Sequence, residues 1–267
     1  MRRHIAFECQ GDTLVGTIDP GEAASGLLIV TGGNELRCGP YGSHAELAAK
    51  LSAAGFPVMR FDRRGVGDSC GYNGGFTTSE SDIAAALAAF RAACPRLKRI
   101  AAFGNCDGAS GLMLARGLSC DALVLANPWT FEPEPAAEEE PGPQSQMTPG
   151  AIRAHYLRRL TSPRALLRLL TGKVRVGQLA GSLVQAVKPP PPQTALVRSM
   201  TEGITDFHGT LTLLVAENDR TAQVFLSQWQ DNDPRIRICP DAGHSFIEPQ
   251  ARLWLQGQLL GALHSLS

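Results

Sequence analysis

Short apolar runs alternate with stretches of helical periodicity along most of the chain. Ile5-Ala6-Phe7 and Thr13 to Ile18 predict an opening hairpin joined through Gly11-Asp12. Leu27 to Val30 reads as a buried strand that runs into Gly32-Gly33. Leu47, Leu51 and Ala54 recur at helical spacing, which predicts a helix from His44 to Ala54 stopped by Gly55. Val58 to Phe61 is the next strand, followed by a glycine-rich loop from Asp62 to Gly75. Ser81 or Asp82 is expected to cap a helix through Ile83, Leu87 and Phe90, ended by Pro95. Ile100 to Phe103 is a strand that leads at once into a helix from Ala109 to Leu118. Strands at Ala122 to Leu125, Leu211 to Val215 and Arg235 to Ile238 precede a last helix over 249–266.

Eight strands alternating with helices predict an α/β fold: a mostly parallel eight-stranded sheet with helices on both faces. Residues 129–205 break the rhythm. They begin acidic and proline-rich (Glu132, Glu134, Glu138, Glu139, Glu140) and turn basic, with nine Arg and Lys and no acid over 151–201. Pro189 to Pro192 reads as a polyproline strut. The expected organisation is a core of residues 1–128 and 206–267 carrying a helical lid over 129–205.

Charge narrows the partners. The 267 residues carry 25 basic and 25 acidic side chains, so the net charge is zero, and 43% of residues are hydrophobic. Such a chain is not disordered, and it has no global attraction to nucleic acid. No apolar run reaches the length of a membrane span. Leucines 157, 160, 166, 167 and 170 leave room for peripheral membrane contact by the lid, although leucines at this spacing also pack onto a core. The seven cysteines are odd in number and none are spaced C-x-x-C, so neither a disulfide framework nor a metal site is expected. The expected setting is a reducing cytoplasm, without metal or cofactor.

One cysteine stands apart. Phe103-Gly104-Asn105-Cys106-Asp107-Gly108 has the form strand, G-x-C-x-G, helix. Flanking glycines allow a sharp turn that presents its central residue, and the start of the helix favours a thiolate. The alternative is a glycine-rich turn with an inert thiol. Partners should follow later strands. Asp219 lies after the strand ending at Val215, and His244 lies after the strand ending at Ile238. Glu217 and Asp241 compete with Asp219, which is preferred because it sits deeper in its loop. Thr31-Gly32-Gly33-Asn34 ends the first parallel strand, where the N–H of Gly33 or Asn34 would join that of Asp107 as an oxyanion hole. His44, Ser69, Ser110 and Cys239 are read as structural.

The order Cys106, Asp219, His244 matches the nucleophile–acid–histidine order of the α/β-hydrolase superfamily. The segment 61–69 resembles the D-x-R-G-x-G-x-S loop of that superfamily. More narrowly, the chain resembles the exosortase A system-associated hydrolase 1 family. The resemblance rests on Gly32-Gly33 through Gly42-Ser43-His44, Arg60-Phe61-Asp62, Cys106 to Ser110, Asn127-Pro128-Trp129, and His155 to Leu160 with Ser162-Pro163. It implies an α/β-hydrolase fold in a bacterial enzyme encoded beside exopolysaccharide and protein-sorting genes.

A cysteine nucleophile would restrict the substrate. In a tetrahedral intermediate the enzyme thiolate leaves before an alkoxide but competes evenly with another thiolate. Thioesters and activated esters are therefore expected, cleaved by a Cys106–His244–Asp219 triad through an acyl-enzyme. The basic segment suits an anionic or carrier-bound small-molecule acyl substrate. An acyltransferase, or a non-catalytic binding protein on the same fold, are the alternatives.

Overall fold

The computed structural model describes residues 1–131, 194–230 and 232–267. The acidic loop, the polyproline run and most of the basic segment lie outside the described residues. So do the leucines considered for membrane contact.

The chain opens with β1 (Arg3–Cys9) and β2 (Asp12–Asp19), an antiparallel hairpin in which Cys9 faces Asp12. The turn residues are Gln10 and Gly11, both at positive φ, which suits the twist of a two-residue hairpin. The turn therefore sits one residue earlier than expected. There follow β3 (Ser25–Val30), α1 (Ser43–Ala53), β4 (Val58–Phe61), α2 (Glu80–Ala93), β5 (Arg99–Asn105), α3 (Asp107–Leu114) and β6 (Ala122–Ala126). After the segment that is not described come α4 (Ala195–Thr205), β7 (Thr210–Ala216), α5 (Arg220–Gln228), β8 (Ile236–Cys239) and α6 (Pro249–Ser265).

The strands form one eight-stranded sheet in the order β1-β2-β4-β3-β5-β6-β7-β8. Only the β1–β2 and β2–β4 pairs are antiparallel. Every residue of β3, β4 and β6 is buried. That is why these strands read as unbroken apolar runs: both faces of the sheet are covered. On one face α1 and α6 pack Leu47, Leu51, Leu255, Leu259 and Leu263 against Leu27, Phe103 and Val124. On the other, Ile83 and Phe90 of α2, Leu112 and Met113 of α3, and Phe225 of α5 pack on Leu28, Phe61 and Leu125. Val197, Met200 and Ile204 of α4 join this second layer. The C-terminal end of the 129–205 stretch thus contributes to the core.

Three further local expectations differ. The second helix starts at Glu80 after a short 3-10 turn, and Asp82 does not cap it. Asp82 instead accepts from Nε and the backbone N–H of Arg64. α3 ends at Leu114 rather than Leu118, because Arg116, Gly117 and Leu118 all turn to positive φ. The ring of Phe207 lies 2.7 Å from where a Cβ on Gly117 would be, so only glycine fits there. Finally, α5 has no counterpart among the expected elements. Among the described residues, no helix is long and apolar enough to cross a membrane.

Candidate active site

The parallel strands all deliver their C-terminal ends to one edge, where open α/β sheets place their reactive loops. Gly32 follows β3, Cys106 follows β5, Asn127 follows β6, Asp219 follows β7 and His244 follows β8. Residues far apart in sequence therefore meet.

Cys106 has φ 59° and ψ −129°, a positive-φ conformation that a side chain rarely adopts. The flanking glycines explain how the turn survives. A Cβ on Gly104 would lie 2.6 Å from the backbone of Gly108, and one on Gly108 would lie 2.6 Å from the carbonyl oxygen of Val30. Both positions must be bare for β5, α3 and β3 to close around the thiol. Cys106 is half-buried and, like the other six cysteines, is a free thiol.

His244 is brought beside Cys106 and Asp219. Its Nδ1 lies 2.9 Å from Oδ2 of Asp219, an ion pair whose angle is not that of an aligned hydrogen bond. The same oxygen also accepts from the N–H of Ala222, at 2.9 Å, and so caps α5. Asp219 first, and the Cys106 sulfur second, hold the imidazolium and raise the His244 pKa to about 10, against the opposing effect of burial. The other acids point elsewhere: Glu217 accepts from the N–H of Asp241, and Asp241 is exposed.

A histidine whose pKa is raised on folding stabilises the fold fully below its unfolded value, near 6.5, and loses that contribution as pH climbs through about 10. The stability difference between the wild type and His244→Gln is therefore expected to shrink between pH 7 and pH 10. Urea denaturation at several pH values measures it, and a gap that widens over this window contradicts the assignment.

The His244 loop is held from below. Its carbonyl oxygen accepts from Nδ2 of Asn105 (3.2 Å) and Nδ2 of Asn127 (3.0 Å). Asn127, fully buried at φ 43°, also donates to Oδ1 of Asn105, and its own Oδ1 accepts from the N–H of Ala216 at the end of β7. One amide thus ties the ends of β5, β6 and β7 to the histidine loop. Asn is among the few side chains that tolerate positive φ, and its amide both donates and accepts.

The expected oxyanion loop is close to the thiol but is not simply open. A Cβ on Gly32 would lie 3.2 Å from Cβ of Cys106 and 3.0 Å from Oδ1 of Asp107. The N–H of Gly33 donates to that same Oδ1. Asn34 is exposed, and its side chain accepts from Asn73. The N–H of Asp107, in the first turn of α3, has no acceptor within the helix.

Two charged residues around Asp107 were not singled out by the sequence. Arg63, buried, donates to the carbonyl oxygen of Gly33 and lies 3.6 Å from Oδ1 of Asp107. Glu35 has a raised pKa, chiefly from burial, in a field set also by His244, Asp107 and Arg63. Both sit in loops whose conformation is invisible to periodicity. The rest of the glycine-rich loop is structural. Asp62 holds the side chain and N–H of Arg37 and the N–H of Asp68, while Ser69 links Asp62 to β2. Ser110 donates to the carbonyl oxygen of Trp129. His44 packs edge-on against Phe103, its pKa pushed down to about 4 by burial and by Arg60.

Comparison with known proteins bears on the fold. The chain is similar in structure to the Pyrococcus furiosus esterase Pf2001 (TM-score 0.62, 14% identity, covering 99% of this chain and 91% of that one). It is similar to the alpha/beta hydrolase GrgF from Penicillium sp. sh18 (TM-score 0.62, 15% identity, 98% of each chain). It is also similar to the thioesterase domain from the curacin biosynthetic pathway (TM-score 0.53, 16% identity, 98% of this chain and 99% of that one). At these identities the likeness establishes the fold. No curated protein matches. The sequence profile of the alpha/beta hydrolase family matches residues 32–254, and the chain belongs to that family.

Proposed function

We propose that the protein is a hydrolase of thioesters or activated esters that works through an acyl-enzyme on Cys106. The observation that carries this reading is the thiol on a positive-φ turn beside an imidazole paired with a carboxylate. In the first step the Cys106 sulfur gives an electron pair to the acyl carbonyl carbon. His244 holds the proton that the thiol gave up, and the carbonyl electrons move onto oxygen. Collapse of the intermediate breaks the bond to the leaving group, which takes the proton from His244. Neutral His244 then removes a proton from water, whose oxygen displaces the Cys106 sulfur and releases the acid. Asp219 keeps the imidazole oriented and its charge compensated throughout.

The surroundings refine the substrate. Asp107 and Glu35 bring carboxylates to the thiol side of the site, which disfavours a negatively charged acyl group there. An anionic or carrier-bound group is better placed on the leaving thiol. Membership of the exosortase A system-associated branch, and action in a reducing cytoplasm that keeps Cys106 as a thiol, belong to the same proposal.

The test is incubation with hexanoyl-N-acetylcysteamine. Intact mass is expected to show a hexanoyl adduct on the wild type, with release of N-acetylcysteamine thiol over many turnovers. Adding a primary amine separates transfer from hydrolysis, since an amide product would favour an acyltransferase. No adduct and no thiol release above buffer would leave a non-catalytic binding protein.

A further inference from the structure

Half of the oxyanion site is occupied by the protein itself. Two N–H groups are placed to receive an oxyanion, those of Asp107 and Gly33, but Gly33 donates to Oδ1 of Asp107. The residue after the thiol therefore lays its carboxylate over one donor of the hole. An ionised carboxylate there opposes catalysis twice, by engaging the donor and by placing like charge against the developing oxyanion.

Arg63 lies directly behind. It is only 3% exposed, yet its Nε and Nη1 are buried with no hydrogen-bond partner among the described residues. Its Nη2 donates to the carbonyl oxygen of Gly33 and stands 3.6 Å from Oδ1 of Asp107. A guanidinium offers five N–H donors in a rigid fork, and a buried one with open donors has a strong pull on a nearby carboxylate. The adjacent Arg64 cannot serve, because it is engaged by Asp82, Gln10 and Ser81. Glu35 is another carboxylate in the field of Arg63.

We propose, resting on the acyl-enzyme chemistry of Cys106, that the Asp107 carboxylate is a reversible plug of the oxyanion hole. Arg63 is the positioning residue that draws it off when an acyl carbonyl arrives. Turning Asp107 from Gly33 toward the Arg63 fork gives up one backbone hydrogen bond and tightens the existing 3.6 Å ion pair with Arg63 into charge-assisted hydrogen bonds. It returns the Gly33 N–H to the hole, and the Asp107 N–H is untouched because it belongs to the backbone.

The experiment is a double-mutant cycle on the full chain: wild type, Asp107→Ala, Arg63→Gln and the double variant. The rate of single-turnover acylation by hexanoyl-N-acetylcysteamine is read by intact mass. Freeing one oxyanion donor is expected to make Asp107→Ala faster, by about 10- to 100-fold. Arg63→Gln is expected to be at least about tenfold slower than the wild type, yet nearly silent, within about twofold, once Asp107 is alanine. A purely structural role for Arg63, through its bond to Gly33, would slow both backgrounds by the same factor and overturn the proposal. Should Arg63→Gln fail to fold, Asp107→Ala decides alone, and a rate equal to or below the wild type overturns the plug. An adduct in both proteins with no acceleration sinks this inference only. No adduct in any of the four removes the acyl chemistry itself and the plug with it.

Discussion

Asp219→Asn is expected to slow acylation of Cys106 by about 10⁴-fold, and Cys106→Ala to abolish it. The carboxylate of Asp219 has two jobs that these variants can separate. Its Oδ2 pairs with Nδ1 of His244 and also accepts from the N–H of Ala222, capping α5. Asparagine caps a helix about as well as aspartate, so Asp219→Asn keeps α5 anchored while removing the charge that holds the imidazolium. Asp219→Ala removes both and is expected to lose about 1 kcal/mol more, roughly 2–4 °C in Tm. Thermal unfolding alongside acylation kinetics therefore distinguishes loss of chemistry from loss of fold. If Asp219→Asn costs less than tenfold while Glu217→Gln costs more, the orienting acid is Glu217 after all.

Asn127→Ala is expected to destabilise the protein by about 2–5 kcal/mol and to slow acylation, although residue 127 is placed neither as acid, base nor nucleophile. Truncation leaves the N–H of Ala216 and Oδ1 of Asn105 without their partner, in a region shielded from water. Unpaired buried polar groups cost far more than the net worth of the bond they lose. It also removes one of the two donors that hold the carbonyl of His244, so the imidazole should wander relative to the thiol. Asn127→Asp keeps the acceptor for Ala216 but loses both donors and buries a charge, and should be no milder. Urea denaturation measures the first effect. A loss below about 1 kcal/mol for Asn127→Ala would show that this amide does not hold the site together.

How much of this is legible in the sequence varies with the kind of signal. The buried strands are plain because covered parallel strands leave unbroken apolar runs, as in Leu27 to Val30. Helix ends are less plain. Asp82 follows the usual capping preference, but Arg64, eighteen residues upstream, claims its carboxylate. The helix α5 leaves little trace, although β7 and β8 are parallel neighbours and a parallel pair requires a crossover between them. Its short run, Arg220 to Gln228, buries only Thr221, Ala222, Val224 and Phe225, too few for periodicity to stand out. That same helix explains why Asp219 sits where it does.

The sequence by itself determined the glycine-flanked Cys106, the chain order of Cys106, Asp219 and His244, and the alternating α/β plan. Each of these is a local pattern with a local cause: a turn that excludes Cβ atoms, a run that buries both faces, a loop after a strand. Only the tertiary structure decided how the loops share their polar groups. Gly33 and Asp107, read as two donors of one hole, turn out to be bonded to each other, with Arg63 behind them. Asn127 becomes the tie between three strand ends and the histidine loop. Hydrogen bonds between residues 22 to 139 positions apart depend on which strand ends the sheet order brings together, and no periodicity within one segment records that order.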